Sequence, residues 1–117
     1  MSAQIQVGLL NAFIEKEKFE SDQKLNYPGT SREIKIALTT AVNSLALMCI
    51  HEILGRHENG NLLSILDVWL QGLNTEAELD GEDRDRICLY AEEILDILNI
   101  KSSNGILNIW RYGFNPL

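Results

Sequence analysis

The longest apolar segment of the chain, residues 34–54, constrains the fold more than any other feature. Apolar or small residues occupy nearly every side of a helix drawn through it, which is typical of a helix enclosed by other helices. Turn-forming residues Tyr27-Pro28-Gly29 precede the segment, and Gly55 follows where helices often end. We therefore predict a central buried helix over about residues 31–54, roughly 36 Å long.

The same segment raises the alternative of a membrane span, because residues 36–50 contain no charged side chain. This uncharged run nevertheless includes four polar residues: Thr39, Thr40, Asn43 and Ser44. It is also shorter than the roughly 20 apolar residues that a bilayer requires. We therefore expect a protein that does not enter a membrane.

Three further segments place apolar residues at the three- and four-residue spacing of amphipathic helices. They cover residues 2 to about 18, residues 61 to about 73 and residues 81 to about 99. Ser2 and Asn61 are predicted to cap the first and the third helix of the chain. Alternating charges at residues 15–18, with polar residues beyond them, predict that the first helix ends in a connection running to Pro28.

The segment from residue 100 to residue 112 fits two structures. Asn104-Gly105 between Ile100 and Ile106 is a signal for a type I′ hairpin turn. Ile106, Leu107 and Trp110 instead follow helical spacing. We favour a short helix here, since the rest of the chain is helical.

These elements fit one domain, because 117 residues leave no room for a second core of ordinary size. The predicted fold is all-α: a single domain over residues 1–117, built as an irregular helical bundle. It has four principal helices and a short C-terminal fifth helix.

The net charge of the chain is concentrated in residues 76–96. This segment holds nine acidic side chains and two arginines, which gives −7 and equals the net charge of the whole chain. Such a surface repels the phosphates of nucleic acids, so we expect no nucleic-acid binding and a basic protein as the partner. The predicted contact residues are Glu78, Asp80, Glu82, Asp83 and Asp85.

A second candidate contact region lies near the C-terminus. Residues 110–114 hold three of the eight aromatic residues of the chain, together with an arginine. Trp, Tyr and Arg are the residue types enriched in binding hot spots, so we add Trp110, Arg111 and Tyr112 to the predicted surface. The alternatives are that this cluster closes one end of the bundle or forms a homodimer interface.

The sequence favours a binding role over catalysis. His51-Glu52 resembles the start of a zinc-protease helix, but Gly55 stands where the second histidine is required. The chain also lacks a nucleophile elbow and a glycine-rich phosphate loop. No catalytic residue, metal ligand or cofactor is therefore predicted, and the favoured function is a small acidic protein-binding module of inhibitor, immunity or adaptor type.

The alternative function is a divalent-metal-dependent hydrolase. Glu17 with Glu20, and Glu93 with Asp96, are carboxylate pairs on adjacent helical turns. All-helical nucleotide pyrophosphohydrolases hold magnesium with carboxylates arranged in this way. Here the two pairs lie much farther apart in sequence than they do in that family.

Cysteine content and the N-terminal sequence indicate where such a protein resides. Cys49 and Cys88 both lie within apolar helical patterns, which favours reduced, buried thiols over a disulfide. The first residues lack the basic region and apolar run of a signal peptide. We therefore expect a cytoplasmic protein.

Overall fold

The computed structural model describes residues 2–20, 32–55, 60–73 and 81–112, and within these ranges it contains helices and no strand. Its five helices are α1 (Ala3–Glu15), α2 (Arg32–Leu54), α3 (Gly60–Leu73), α4 (Gly81–Ile97) and α5 (Ile106–Tyr112). The predicted all-α bundle of four principal helices and a short fifth is therefore confirmed.

One face of α2 forms the centre of the core. Helices α1, α3 and α4 all contact α2. Its buried side chains are Leu38, Val42, Leu45, Ala46 and Cys49. The structure differs from the expected enclosure on every side, since Ile36, Leu47 and Leu54 are each more than half exposed. The other helices cover one side of α2 and leave the opposite side open.

Two side-chain hydrogen bonds attach neighbouring helices to α2. The indole Nε1 of Trp69 on α3 donates to the carbonyl oxygen of Ala41 at 2.9 Å. The amide Nδ2 of Asn43 donates to the carbonyl oxygen of Ile14 at 3.3 Å, which joins α2 to the end of α1. Each bond gives a buried or half-buried polar group a partner inside an otherwise apolar interface.

Both cysteines are free and buried, as expected. Cys49 lies on α2 and Cys88 on α4. Burial raises the pKa of each thiol to about 11. The thiols therefore stay protonated at neutral pH, and they act as small apolar core groups.

The connection from α4 to α5 combines a helix stop with a helix start. Asn99, in the left-handed conformation (φ 60°), ends α4, and the N–H of Ile100 donates to the carbonyl oxygen of Leu95 at 2.9 Å. The hydroxyl oxygen of Ser103 then accepts from the N–H of Leu107, in the first turn of α5, at 3.3 Å. Asn104 has a positive φ, as a type I′ turn requires, but the chain continues into a helix. The predicted short fifth helix is therefore confirmed.

The segment that follows α1 folds back onto α4. The backbone N–H of Phe19 donates to the phenolic oxygen of Tyr90 at 2.8 Å. The ring of Tyr90 lies edge-on to the rings of Phe19 and Phe13, with centroid distances of 5.1 and 6.1 Å. Phe19 has φ 61°, a left-handed conformation that costs a bulky residue about 1–2 kcal/mol. Burial of the ring and the hydrogen bond to Tyr90 offset this cost.

Lys18 closes the C-terminal end of α1 from within the core. Its side chain is only 1% exposed, and its Nζ donates to the carbonyl oxygens of Phe13, Ile14 and Lys16. These carbonyls lie at the end of α1, where a cation also complements the helix dipole. Burial, together with the nearby charge of Lys16, lowers the pKa of Lys18 from 10.5 to about 8.

Replacing Tyr90 with Phe tests the link between α1 and α4. The change keeps the ring but leaves the buried N–H of Phe19 without an acceptor, so we expect the free energy of unfolding to fall by about 1–3 kcal/mol. Urea denaturation measures the difference. The control is Tyr112→Phe, the same change at an exposed position, which should alter stability by less than about 0.5 kcal/mol. Equal stabilities for Tyr90→Phe and wild type would show that the bond contributes nothing.

Comparing the stability of wild type with that of Lys18→Met at several pH values tests whether the pKa of the buried Lys18 amine is lowered. The pKa of Lys18 falls from 10.5 to about 8 on folding, so the unfolded chain binds more protons between these pH values. The contribution of Lys18 to the free energy of unfolding should therefore increase as pH rises through this window. Urea denaturation at each pH measures it as the difference between the two proteins. A difference that stays constant, or decreases, from pH 8 upward would contradict the assignment.

Candidate binding surface

Side chains from α4 and α5 bring the acidic segment and the aromatic cluster together. The Nε of Arg111 donates to the Oδ1 of Asp85 at 2.7 Å. The guanidinium of Arg84 lies 4.9 Å from the centroid of the Trp110 ring, and that of Arg111 lies 4.7 Å from the ring of Tyr112. Two features that are separate in the sequence therefore form one surface, the α4–α5 surface.

The residues of the α4–α5 surface differ in how accessible they are. Glu82, Asp85 and Tyr112 are exposed, and Trp110 is half-buried. Arg111 is also half-buried, and its ion pair with Asp85 neutralises part of the acidic segment from within the protein. The accessible part of the surface therefore combines carboxylates with aromatic edges.

The predicted contact residue Asp83 is only 5% exposed, so little of it is accessible to a partner. Asp83 lies in the first turn of α4, where unpaired backbone N–H groups and the positive end of the helix dipole favour a carboxylate. That environment lowers the cost of burying it. The predicted contact residues Glu78 and Asp80 lie outside the described residues.

An open groove of about 410 Å³ lies between α3 and α5. It is lined by Asp67, Leu70, Gln71, Ile106, Ile109 and Trp110. Ile109 is 54% exposed, so the groove presents apolar surface to solvent. This α3–α5 groove could not be predicted from the sequence, because the helical pattern of each segment does not show which segments become neighbours.

The carboxylates proposed for a hydrolase lie beside lysines. Glu93 pairs with Lys16 at 2.5 Å, and Lys35 pairs with Glu20 and lies 3.7 Å from Glu17. The hydrogen bond from Lys35 lowers the pKa of Glu20, and the same bond raises the pKa of Lys35. A metal ion at these carboxylates would have to displace both lysines.

The fourth carboxylate of that set is separated from the others. Glu17, Glu20 and Glu93 line a cleft of about 430 Å³, together with Arg86 and Tyr90. Asp96 instead lines a different cleft, of about 290 Å³, beside residues 100–103. Within the described ranges, no group of three or more His, Cys, Asp or Glu side chains is arranged to hold a metal ion. The four carboxylates are therefore not assembled into one site.

Comparisons with known proteins place this chain in a family. A family model described as a domain of unknown function, DUF4844, matches residues 1–115. The crystal structure of a DUF3571 family protein from Acinetobacter baumannii AYE has a TM-score of 0.86 and 29% sequence identity, covering 95% of this chain and 91% of that chain. A search of curated proteins found no match. Because the family model spans nearly the whole chain, this protein belongs to the DUF4844 family.

Proposed function

We propose that this protein is a non-enzymatic binding module for a basic protein, acting as an inhibitor, an immunity-type protein or an adaptor. The observation that supports the proposal is the α4–α5 surface. The ion pair between Asp85 and Arg111 holds the acidic start of α4 against the aromatic residues of α5. Acidic and aromatic groups therefore face the same partner.

The charge of this surface selects the class of partner. Glu82 is exposed on α4 and the exposed Asp67 lines the neighbouring groove, whereas the charge of Asp85 is already paired with Arg111. Carboxylates at the edge of an interface attract a basic protein over long distances and accelerate association. They also repel acidic proteins, which adds specificity.

The α3–α5 groove supplies the apolar part of the interface. Protein interfaces typically have an apolar centre and a polar rim, and aromatic side chains at the centre contribute much of the binding energy. Trp110 and Ile109 line the groove, and Ile109 is largely exposed. We assign these two residues to the centre of the interface and the carboxylates to its rim.

Replacing Ile109 with Asp tests the groove. A buried charge at the centre of the interface should weaken partner binding more than tenfold, which corresponds to about 1.4 kcal/mol or more. The matched control is Ile5→Asp on α1, because Ile5 is 55% exposed against 54% for Ile109 and α1 does not contact α3 or α5. Immobilised wild type and variants are exposed to host lysate at low salt, and proteins eluted by salt are quantified by mass spectrometry.

The proposal requires that one basic protein from the lysate binds to immobilised wild type and to immobilised Ile5→Asp. The same protein should not bind to immobilised Ile109→Asp. Titration calorimetry with that purified protein then gives the change in Kd. Equal retention by all three baits would exclude the groove as the binding site.

Replacing Glu82 with Lys tests the acidic rim. The association rate constant with the partner should fall several-fold at low ionic strength, and the difference from wild type should shrink as salt screens charges over about 10 Å at 0.1 M. Surface plasmon resonance at several salt concentrations measures it. Glu15→Lys on α1 makes the same change in net charge at another exposed position. An equal loss in both variants, or an association rate independent of salt, would contradict the proposed rim.

A further inference from the structure

The exposed face of α2 carries a regular stripe of residues. Their positions alternate in steps of four and three, which is the heptad spacing of helices that pack along a single seam. They are Glu33, Ala37, Thr40, Ser44, Leu47, His51 and Leu54. Six of the seven are exposed and Ser44 is half-buried, so this α2 stripe faces solvent along the helix.

The middle of the α2 stripe is uncharged. Between Glu33 at one end and His51 at the other, the stripe contains only small and apolar side chains. Ile36, beside the stripe, is also more than half exposed. Exposed apolar patches on soluble proteins often form protein–protein contacts, so we consider this face as an interaction surface.

From Glu33 to His51, the residues of the stripe are arranged symmetrically, and Leu54 falls outside this symmetric part. Val42, whose side chain is buried on the opposite side of α2, lies midway between Glu33 and His51. Ala37 and Leu47 are equally distant from it, as are Thr40 and Ser44. If a second α2 runs antiparallel, each small residue therefore meets its counterpart from the other half of the stripe.

Glu33 and His51 complete this complementarity. Glu33 and His51 are also equally distant from the midpoint, so each carboxylate faces an imidazole, whose N–H can donate to it. A parallel arrangement would instead place Glu33 against Glu33 and Leu47 against Leu47. Only the antiparallel pairing matches acid with base and small side chain with large.

We propose that the α2 stripe is the interface of a two-fold symmetric homodimer, in which the α2 helices of two copies pack antiparallel. Two-fold interfaces use the same patch on both subunits, which a self-complementary stripe satisfies. Small side chains at Ala37, Thr40 and Ser44 allow the two helices to approach closely. Helix α5 does not contact α2, so this interface is separate from the α3–α5 groove.

Sedimentation velocity tests the dimer and its location. Wild type should sediment as a species of twice the 13.2 kDa chain mass as the concentration rises from about 1 to 100 µM, because mass action favours the dimer. Leu47→Asp should remain a monomer over this range. The matched control Ile109→Asp changes a residue of similar exposure in the groove and should still dimerise.

Two results would overturn the proposal. One is a dimer that survives Leu47→Asp but is lost in Ile109→Asp, which would move the interface to the C-terminal aromatic cluster. The other is a wild-type monomer throughout the range. If that monomer sedimented with vesicles of mixed neutral and anionic phospholipid, the stripe would be assigned to a lipid surface instead.

Disulfide formation tests the antiparallel orientation. In the proposed dimer, residue 37 faces residue 47 of the other copy, while the two copies of residue 37 are roughly 15 Å apart along the helix, well beyond disulfide reach. Tagged Ala37→Cys mixed with untagged Leu47→Cys should therefore form the mixed disulfide, and Ala37→Cys alone should not cross-link. The native cysteines are buried and should not compete. Efficient cross-linking of Ala37→Cys alone would indicate a parallel pair and overturn the proposed orientation.

Discussion

Burial of one face of α2 is the constraint on which the rest of the structure depends. Helices α1, α3 and α4 pack against that face, so its apolar side chains determine where the other principal helices lie. The bonds from Trp69 to Ala41 and from Asn43 to Ile14 then fix α3 and α1 against it. Since apolar burial contributes roughly 25 cal/mol per Å² without preferring a direction, these polar contacts select one packing among similar ones.

Much of the fold could be predicted because the signals that form its helices are local. Ser2 caps α1 in the structure, and the apolar stripes of α3 and α4 contain the buried Trp69 and Tyr90. The ambiguity at residues 100–112 was real, since Asn104 has the backbone conformation of a hairpin turn. In the folded chain, the hydroxyl of Ser103 accepts from the N–H of Leu107 in the first turn of α5, a contact within five residues.

The features that could not be predicted from the sequence are those that depend on which helices become neighbours. Helix α2 is apolar on nearly every side, so its composition does not identify the face that stays exposed. Asp83 was predicted to contact a partner, and Lys18 follows a run of alternating charges, but both are buried at helix ends, where backbone groups can compensate a charge. The components of the candidate binding surface were predicted from residue type, whereas the pairing of Asp85 with Arg111, 26 residues away, required the folded chain.

The contact between the segment after α1 and helix α4 also determines when this part of the core can form during translation. Phe19 and Tyr90 are 71 residues apart, and Lys16 and Glu93 are 77 apart. Ribosomes release the N-terminal end first, so α1 emerges long before its partner on α4 exists. The aromatic rings of Phe13 and Phe19 cannot pack against Tyr90 until α4 has left the exit tunnel. Final closure of this part of the core therefore follows translation of α4.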